Sequence, residues 1–184
     1  DQASELKAAF RREGPWTNEE IKMLCEQKGF LTRVREVLLG CAEIKRVEYL
    51  ADLDADPFLP DGWKVEEHKK GGQFKYDSAK VGLYLSKGQQ KGKMIVGNDL
   101  RKELKNQPVY NANLLDFYLK KENQHLIPEE WKGKAIFFWG TIYCHSSGCL
   151  CVRGLYWSSG GWFWHYGWLG YEFDGDSPAT VSAS

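Results

Sequence analysis

Hydrophobic and polar positions alternate in two different rhythms along the chain. From Ala3 to Arg12, Ile21 to Cys25 and Val34 to Leu50 the apolar residues recur at helical spacing. The first run predicts a helix stopped by Gly14-Pro15. Thr17-Asn18-Glu19-Glu20 fits a capping box, in which Thr17 accepts from the N3 backbone N–H and Glu20 reaches back. Ile21, Leu24 and Cys25 then share a face, with Gly29 as the expected C′ stop. A third helix puts Val34, Val37 and Leu38 inward up to Gly40, and Ile44, Val47 and Leu50 continue its period. Pro57, Pro60 and Asp61-Gly62 break the pattern and mark a boundary. Beyond it, residues 63–68 and 73–76 flank Lys69-Lys70-Gly71-Gly72 as a predicted hairpin, and 81–85 alternates as a strand. Asn98 is the expected cap of a short helix to Leu104. Asn113 is the expected cap of a firmer one to Lys121, with Leu114, Leu115 and Tyr118 inward. Pro128 occupies an N1 position ahead of a short turn through Trp131. From Ala135 the chain turns strand-prone, with strands at 135–143, 150–157 and 162–169, then a polar loop and a short final strand at 179–183.

On the third of these strands Trp162, Trp164, Tyr166 and Trp168 fall on one side, and Phe163, His165 and Gly167 on the other. The wide aromatic set is the expected core face, with Trp139 and Trp157 as further scaffold. Its partners are expected to be free to change.

Composition sharpens that division. After Lys134 there is no Lys, Gln or Met, and Glu172 is the only Glu. A frame of Leu155, Tyr156, Trp157, Trp162, Trp164, Trp168, Leu169, Ser177, Pro178 and Ala179 is interleaved with a chemically mixed set. That set is Cys149, Cys151, Gly154, Ser158, Ser159, Gly160, Phe163, His165, Gly167, Gly170, Tyr171, Asp174 and Asp176, with Cys144, His145 and Ser147 just ahead of it. It avoids Lys, Gln, Glu, Met and Trp, the amino acids that no pyrimidine-ending triplet encodes. Asn codons randomised at their adenines leave this gap.

On these residues the segment resembles the variable region of a target protein of a diversity-generating retroelement, in which an error-prone reverse transcriptase mutates adenines copied from a template. The upstream runs NANLLDFYL, LIPEEWKGK and FFWGTIY, between Asn111 and Tyr143, resemble the scaffold of one bacterial branch of these proteins. The resemblance covers about the C-terminal two-thirds of the chain. It implies an α+β, C-type-lectin-like fold with a twisted antiparallel sheet and two helices. An N-terminal helical segment, 1–56, would pack on a ligand-binding domain, 57–184, whose variable region spans 144–176. The implied function is non-enzymatic binding of varied ligands, chiefly proteins, with no cofactor or metal. Phe163, His165 and Tyr171 would supply contacts, and Ser158, Ser159, Asp174 and Asp176 hydrogen bonds. Gly154, Gly160, Gly167 and Gly170 would shape shallow pockets.

Charge and cysteine content narrow the alternatives. Twenty-five basic residues balance 25 acidic ones, which favours neither a general nucleic-acid nor a membrane-surface role. Aromatics at 14% suit a contact surface. Five cysteines, an odd count, and no visible leader before Asp1 argue against a disulfide framework and make a reducing cytosol the default compartment. The acids of residues 52–56 miss calcium-loop spacing, and Gly92-Lys93-Met94 lacks the rest of a phosphate loop. Cys144, His145, Cys149 and Cys151 are candidate zinc ligands at an uncommon spacing. Cys144 or Cys151 with His165 and Asp174 is a candidate nucleophilic site without an oxyanion motif. Glu172, Asp174 and Asp176 are a thin supply for calcium-dependent sugar binding. The main alternative is a carbohydrate-binding module with an aromatic platform.

Overall fold

The computed structural model describes residues 2–12, 14, 16–44 and 48–183. Pro15 and Val47, which the sequence placed at a helix stop and on a helical face, lie outside the described residues. The chain divides into two compact units, 1–47 and 48–184. Residues 48–56, expected with the helices, thus belong to the second unit.

The first unit carries α1 (Gln2–Arg12), α2 (Asn18–Glu26) and α3 (Phe30–Leu38). The capping box at α2 is formed: Glu20 N–H donates to Thr17 Oγ1 at 3.2 Å, and Thr17 N–H donates to Glu20 Oε2 at 2.7 Å. Gly29, with φ of +78°, stands immediately before α3. Val34 and Leu38 are exposed rather than inward, at 37% and 81%.

The second unit is mixed α and β. Its strands are β1 (Leu50–Asp52), β2 (Lys64–His68), β3 (Gln73–Lys75), β4 (Val81–Tyr84) and β5 (Ile95–Val96); its helices are α4 (Gly97–Glu103) and α5 (Ala112–Leu119). The chain then runs through β6 (Ala135–Cys144), β7 (Leu150–Ser158), β8 (Gly161–Trp168), β9 (Glu172–Phe173) and β10 (Ala179–Ser182). Leu50 opens a strand, so the helical period expected through it does not hold. The expected hairpin over 63–76 is absent: β2 pairs with β6, and β3 pairs with β1. The loop between them is bound instead to the segment after β1: Asp54 Oδ1 accepts from the N–H groups of Gly71 and Gly72 at 3.1 and 2.8 Å, and Leu53 N–H donates to the Gly72 carbonyl at 2.9 Å.

The main sheet has the order β4-β10-β6-β7-β8, with β2 also on β6. β6, β7 and β8 form the expected antiparallel meander, while β10 joins β6 in parallel. The β7–β8 turn is a two-residue loop with Ser159 at φ +49° and Gly160 at φ +81°, the positive pair that matches strand twist.

Each face of the sheet buries a separate core. On one face Ile136, Phe138, Leu155 and Trp162 pack under α5 with Leu114, Leu115, Phe117 and Tyr118. Asn111, not Asn113, caps α5, accepting from Asn113 N–H at 3.1 Å. On the other face Phe137, Trp139, Ile142, Val152 and Phe173 pack against Leu100 of α4 and Leu104. Val96, rather than Asn98, precedes α4, and no side chain caps it. Among the described residues no helix is long and apolar enough to cross a membrane.

Candidate functional site

The register of β7 and β8 fixes which side chains share a face. Cys151, Arg153, Leu155 and Trp157 stand opposite Trp168, Tyr166, Trp164 and Trp162 on the α5 face. Val152, Gly154 and Tyr156 stand opposite Gly167, His165 and Phe163 on the α4 face. Since β8 is the outermost strand, burial changes along it as well as across it.

On the α5 face Trp162 is buried at 5%, edge-on to Trp157 at 5.3 Å. Trp168 is half-buried beside Trp63 and Cys151. Trp164 is 37% exposed and Tyr166 39%, so the expectation that all four rings face inward fails at these two. Both stand on the outermost strand, at the edge of the sheet. Their cover is the loop after β1: Trp63 meets Trp164 and Tyr166 edge-on at 6.4 and 5.1 Å, and Phe58 meets Trp164 at 6.4 Å. Beneath lies Arg153, 1% exposed, its guanidinium 4.7 Å from the Trp164 ring and 5.0 Å from the Phe58 ring. Its Nη2 and Nη1 donate to Asp116 of α5 at 2.7 and 3.1 Å. Nothing in the local sequence separates this arginine from an exposed one; only the two elements brought together reveal it.

On the α4 face the three supposedly free positions form a gradient. Phe163 is 47% exposed. His165 is half-buried between the rings of Phe137 and Tyr156, at 5.0 and 5.1 Å, and its buried Nε2 has no hydrogen-bond partner among the described residues. That burial disfavours the charged imidazole and lowers its pKa. Gly167 is packed: a Cβ there would lie 2.8 Å from Phe173 and 3.1 Å from Phe137. Gly154 is buried in the same way, 2.8 Å from the Phe137 ring. Gly154 and Gly167 therefore leave the ligand-contact set, because Phe137 and Phe173 occupy the space their side chains would need.

Cys151 leaves it too. It is 0% exposed, and burial, reinforced by Cys144 and Cys149, pushes its thiol pKa up to about 12. A thiol of that kind is a poor nucleophile at neutral pH. It also lies on the opposite face of the sheet from His165, which separates the proposed nucleophile from its base. Cys144, His145, Cys149 and Cys151 do not gather into a metal site; among the described residues no group of three or more such ligands does.

The remaining candidates sit at the two ends of the β7–β8 ribbon, about seven residues or roughly 24 Å apart. At one end Ser147, Cys149, Gly170 and Tyr171 line a cleft of ≈ 510 Å³ with Asn98, Leu150, Trp168 and Leu169. Tyr171 is 70% exposed there. Cys144 and His145 are half-buried behind it, and His145 meets Trp168 edge-on at 5.0 Å. At the other end are half-buried Ser158, exposed Ser159 and Gly160, and Phe163. The loop after β9 joins this end through Asp176, whose carbonyl accepts from Ala135 N–H at 2.8 Å. Asp174 and Asp176 are both exposed, but Asp174 Oδ1 already accepts from Asp176 N–H and Ser177 Oγ. Gln89, buried at 1%, holds the loop by donating to the carbonyls of Asp174 and Ser177, each at 2.8 Å. Sequence reasoning missed Gln89, whose only signal was Ser86 three residues before it as a capping partner. It also missed Asn98 as a wall of the cleft.

No protein-family model, curated protein or solved structure matches this chain.

Proposed function

We propose that the second unit is a ligand-binding domain of C-type-lectin-like type, with a surface diversified by a retroelement at adenine-derived positions. One observation carries the reading. Of the frame, Leu155, Trp162, Leu169, Pro178 and Ala179 are buried and Trp164 is exposed; of the mixed set, Ser147, Cys149, Ser159, Gly160, Phe163, Gly170, Tyr171, Asp174 and Asp176 are exposed and Cys151 and Gly154 are buried. A surface alternating this finely with its own core can be rewritten without rewriting the fold. Part of it lines the Ser147–Tyr171 cleft, and its ligand there is a protein surface, bound without covalent chemistry. The locus itself supplies the test. A near-copy of the segment encoding 135–184, differing only at adenines and lying beside a reverse-transcriptase gene, is the expected finding. A locus with neither overturns the diversification.

A second reading draws on Trp164 and Tyr166. They are adjacent on one face, half-open, and flanked by Phe58 at 53% exposure. Such rings form a platform on which a sugar ring can stack. A glycan array separates the two: binding abolished by Trp164→Ala favours the carbohydrate module, and a blank array favours the protein binder.

A further inference from the structure

Next to the Ser147–Tyr171 cleft lies a larger one, of ≈ 820 Å³, built wholly from residues outside the mixed set. Asn98 lines both, so the two clefts share a wall. The larger cleft is lined by Lys69, Arg101, Lys102 and Lys105, with Glu67 as its one lining acid. Arg101 Nη2 donates to Glu67 Oε1 at 2.6 Å, and Lys102 pairs with Asp99 at 2.8 Å. Four cations less these two carboxylates leave an excess of two positive charges, in a protein whose net charge is zero. Lys69 Nζ is tied to the Lys105 carbonyl at 3.0 Å, so the fold holds that ammonium in place. Desolvation lowers its pKa, with Glu67 opposing, which is the environment a second anion would relieve.

Trp139 gives an independent indication. It lines the same cleft, is 4% exposed, and its buried Nε1–H has no acceptor among the described residues. A buried donor without an acceptor costs stability, and an acceptor brought in by a ligand is the partner it lacks.

We propose that this cleft is a fixed subsite for the acidic side chains of a protein ligand, whose remaining surface is read by the variable cleft next door. The inference rests on the binding function proposed above and names the partner's chemistry. The size of the cleft and the spread of its cations along the β2–β3 loop, α4 and the turn after it suit several carboxylates on one chain. A single phosphate calls for converging donors instead. A constant electrostatic anchor also steers encounter whatever the variable residues are, because long-range attraction acts mainly on the association rate.

The test uses the whole chain and a fluorescein-labelled octaglutamate, followed by anisotropy at low and physiological salt. The expected result is binding to octaglutamate but not to octaglutamine, weakening steeply with salt. Lys102→Ser with Lys105→Ser, both on the exposed rim, is expected to weaken it about tenfold or more. Lys87→Ser with Lys93→Ser, outside the cleft, is expected to leave it within about twofold, and thermal melts check that every variant stays folded. Equal binding of the two peptides, or wild-type affinity in the Lys102/Lys105 variant, overturns the proposal. So does an equal or greater preference for inorganic polyphosphate of matched charge. Octaglutamate reads the fixed cleft and the locus sequence reads diversification, so either can fail without the other.

Discussion

Phe137 shows how little freedom some apparently open positions have. Its ring lies over Gly154 and Gly167 on neighbouring strands and touches the ring of Phe173. Adding one methyl at Gly167 forces those rings apart, and overpacking of this kind costs roughly 1–3 kcal/mol. Gly167→Ala is therefore expected to lower the urea midpoint clearly, whereas Gly170→Ala, with no heavy atom near its Cβ position, is expected to shift it little. His165 carries a pH signature. Its folded pKa lies below the ordinary value of 6.5, so the unfolded chain takes up the proton first. The stability due to the neutral ring is complete above that value and is lost as pH falls through it towards the folded pKa. Urea midpoints measured at pH 7.5 and 5.5 are expected to fall on acidification, and to fall less in His165→Leu. An equal fall in the variant contradicts the assigned burial.

At the scale of elements, β8 depends on two supports. Trp162 is held by α5, while Trp164 is held by the loop carrying Phe58 and Trp63. Arg153 links both, through Asp116 on α5 and through its stacking against Trp164 and Phe58. Removing one partner of a buried pair leaves the other charge stranded. Asp116→Ala is thus expected to cost about 2–4 kcal/mol, short of the largest such losses because water reaches the aspartate. Adding Arg153→Met is expected to restore much of it, which a double-mutant cycle on denaturation midpoints measures. The strands that β-prone composition marks strongly, β6, β7 and β8, were legible from the sequence, as were α5 and the capping box of α2. Pairing partners were not. Residues 63–76 read as a hairpin because a Gly-Gly turn sits between two strand-like runs, and the reach of Asp54 into that turn is a long-range event. Exposure at the candidate site was legible where it follows strand parity, as at Phe163, and illegible where other elements fill the space, as at Gly154, Gly167 and Cys151. Parity also misjudged Trp164 and Tyr166, because it says which side a residue faces and not that its strand lies at the edge of the sheet.

For the molecule as a whole, buried and exposed positions of the 144–176 stretch are separated residue by residue rather than region by region. The α5 and α4 cores clamp the sheet from both faces. What they leave open is the two ends of the β7–β8 ribbon, the loop that Gln89 secures, and the basic cleft beyond Asn98. On the proposed function, a ligand engaging the Ser147–Tyr171 end would meet residues of the mixed set and residues outside it across one shared wall. The most direct measurement compares two equal-sized libraries of the full chain by protease resistance and thermal melting. One randomises Ser147, Cys149, Ser159, Phe163, Tyr171, Asp174 and Asp176; the other randomises Cys151, Gly154, Leu155, Trp162, Gly167, Leu169 and Ala179. Most members of the first are expected to stay folded with melting temperatures near that of the parent, and few of the second, where a single buried Trp or Leu cut to Ala costs roughly 2–5 kcal/mol. Equal losses in the two libraries would contradict the separation on which the proposed binding function rests.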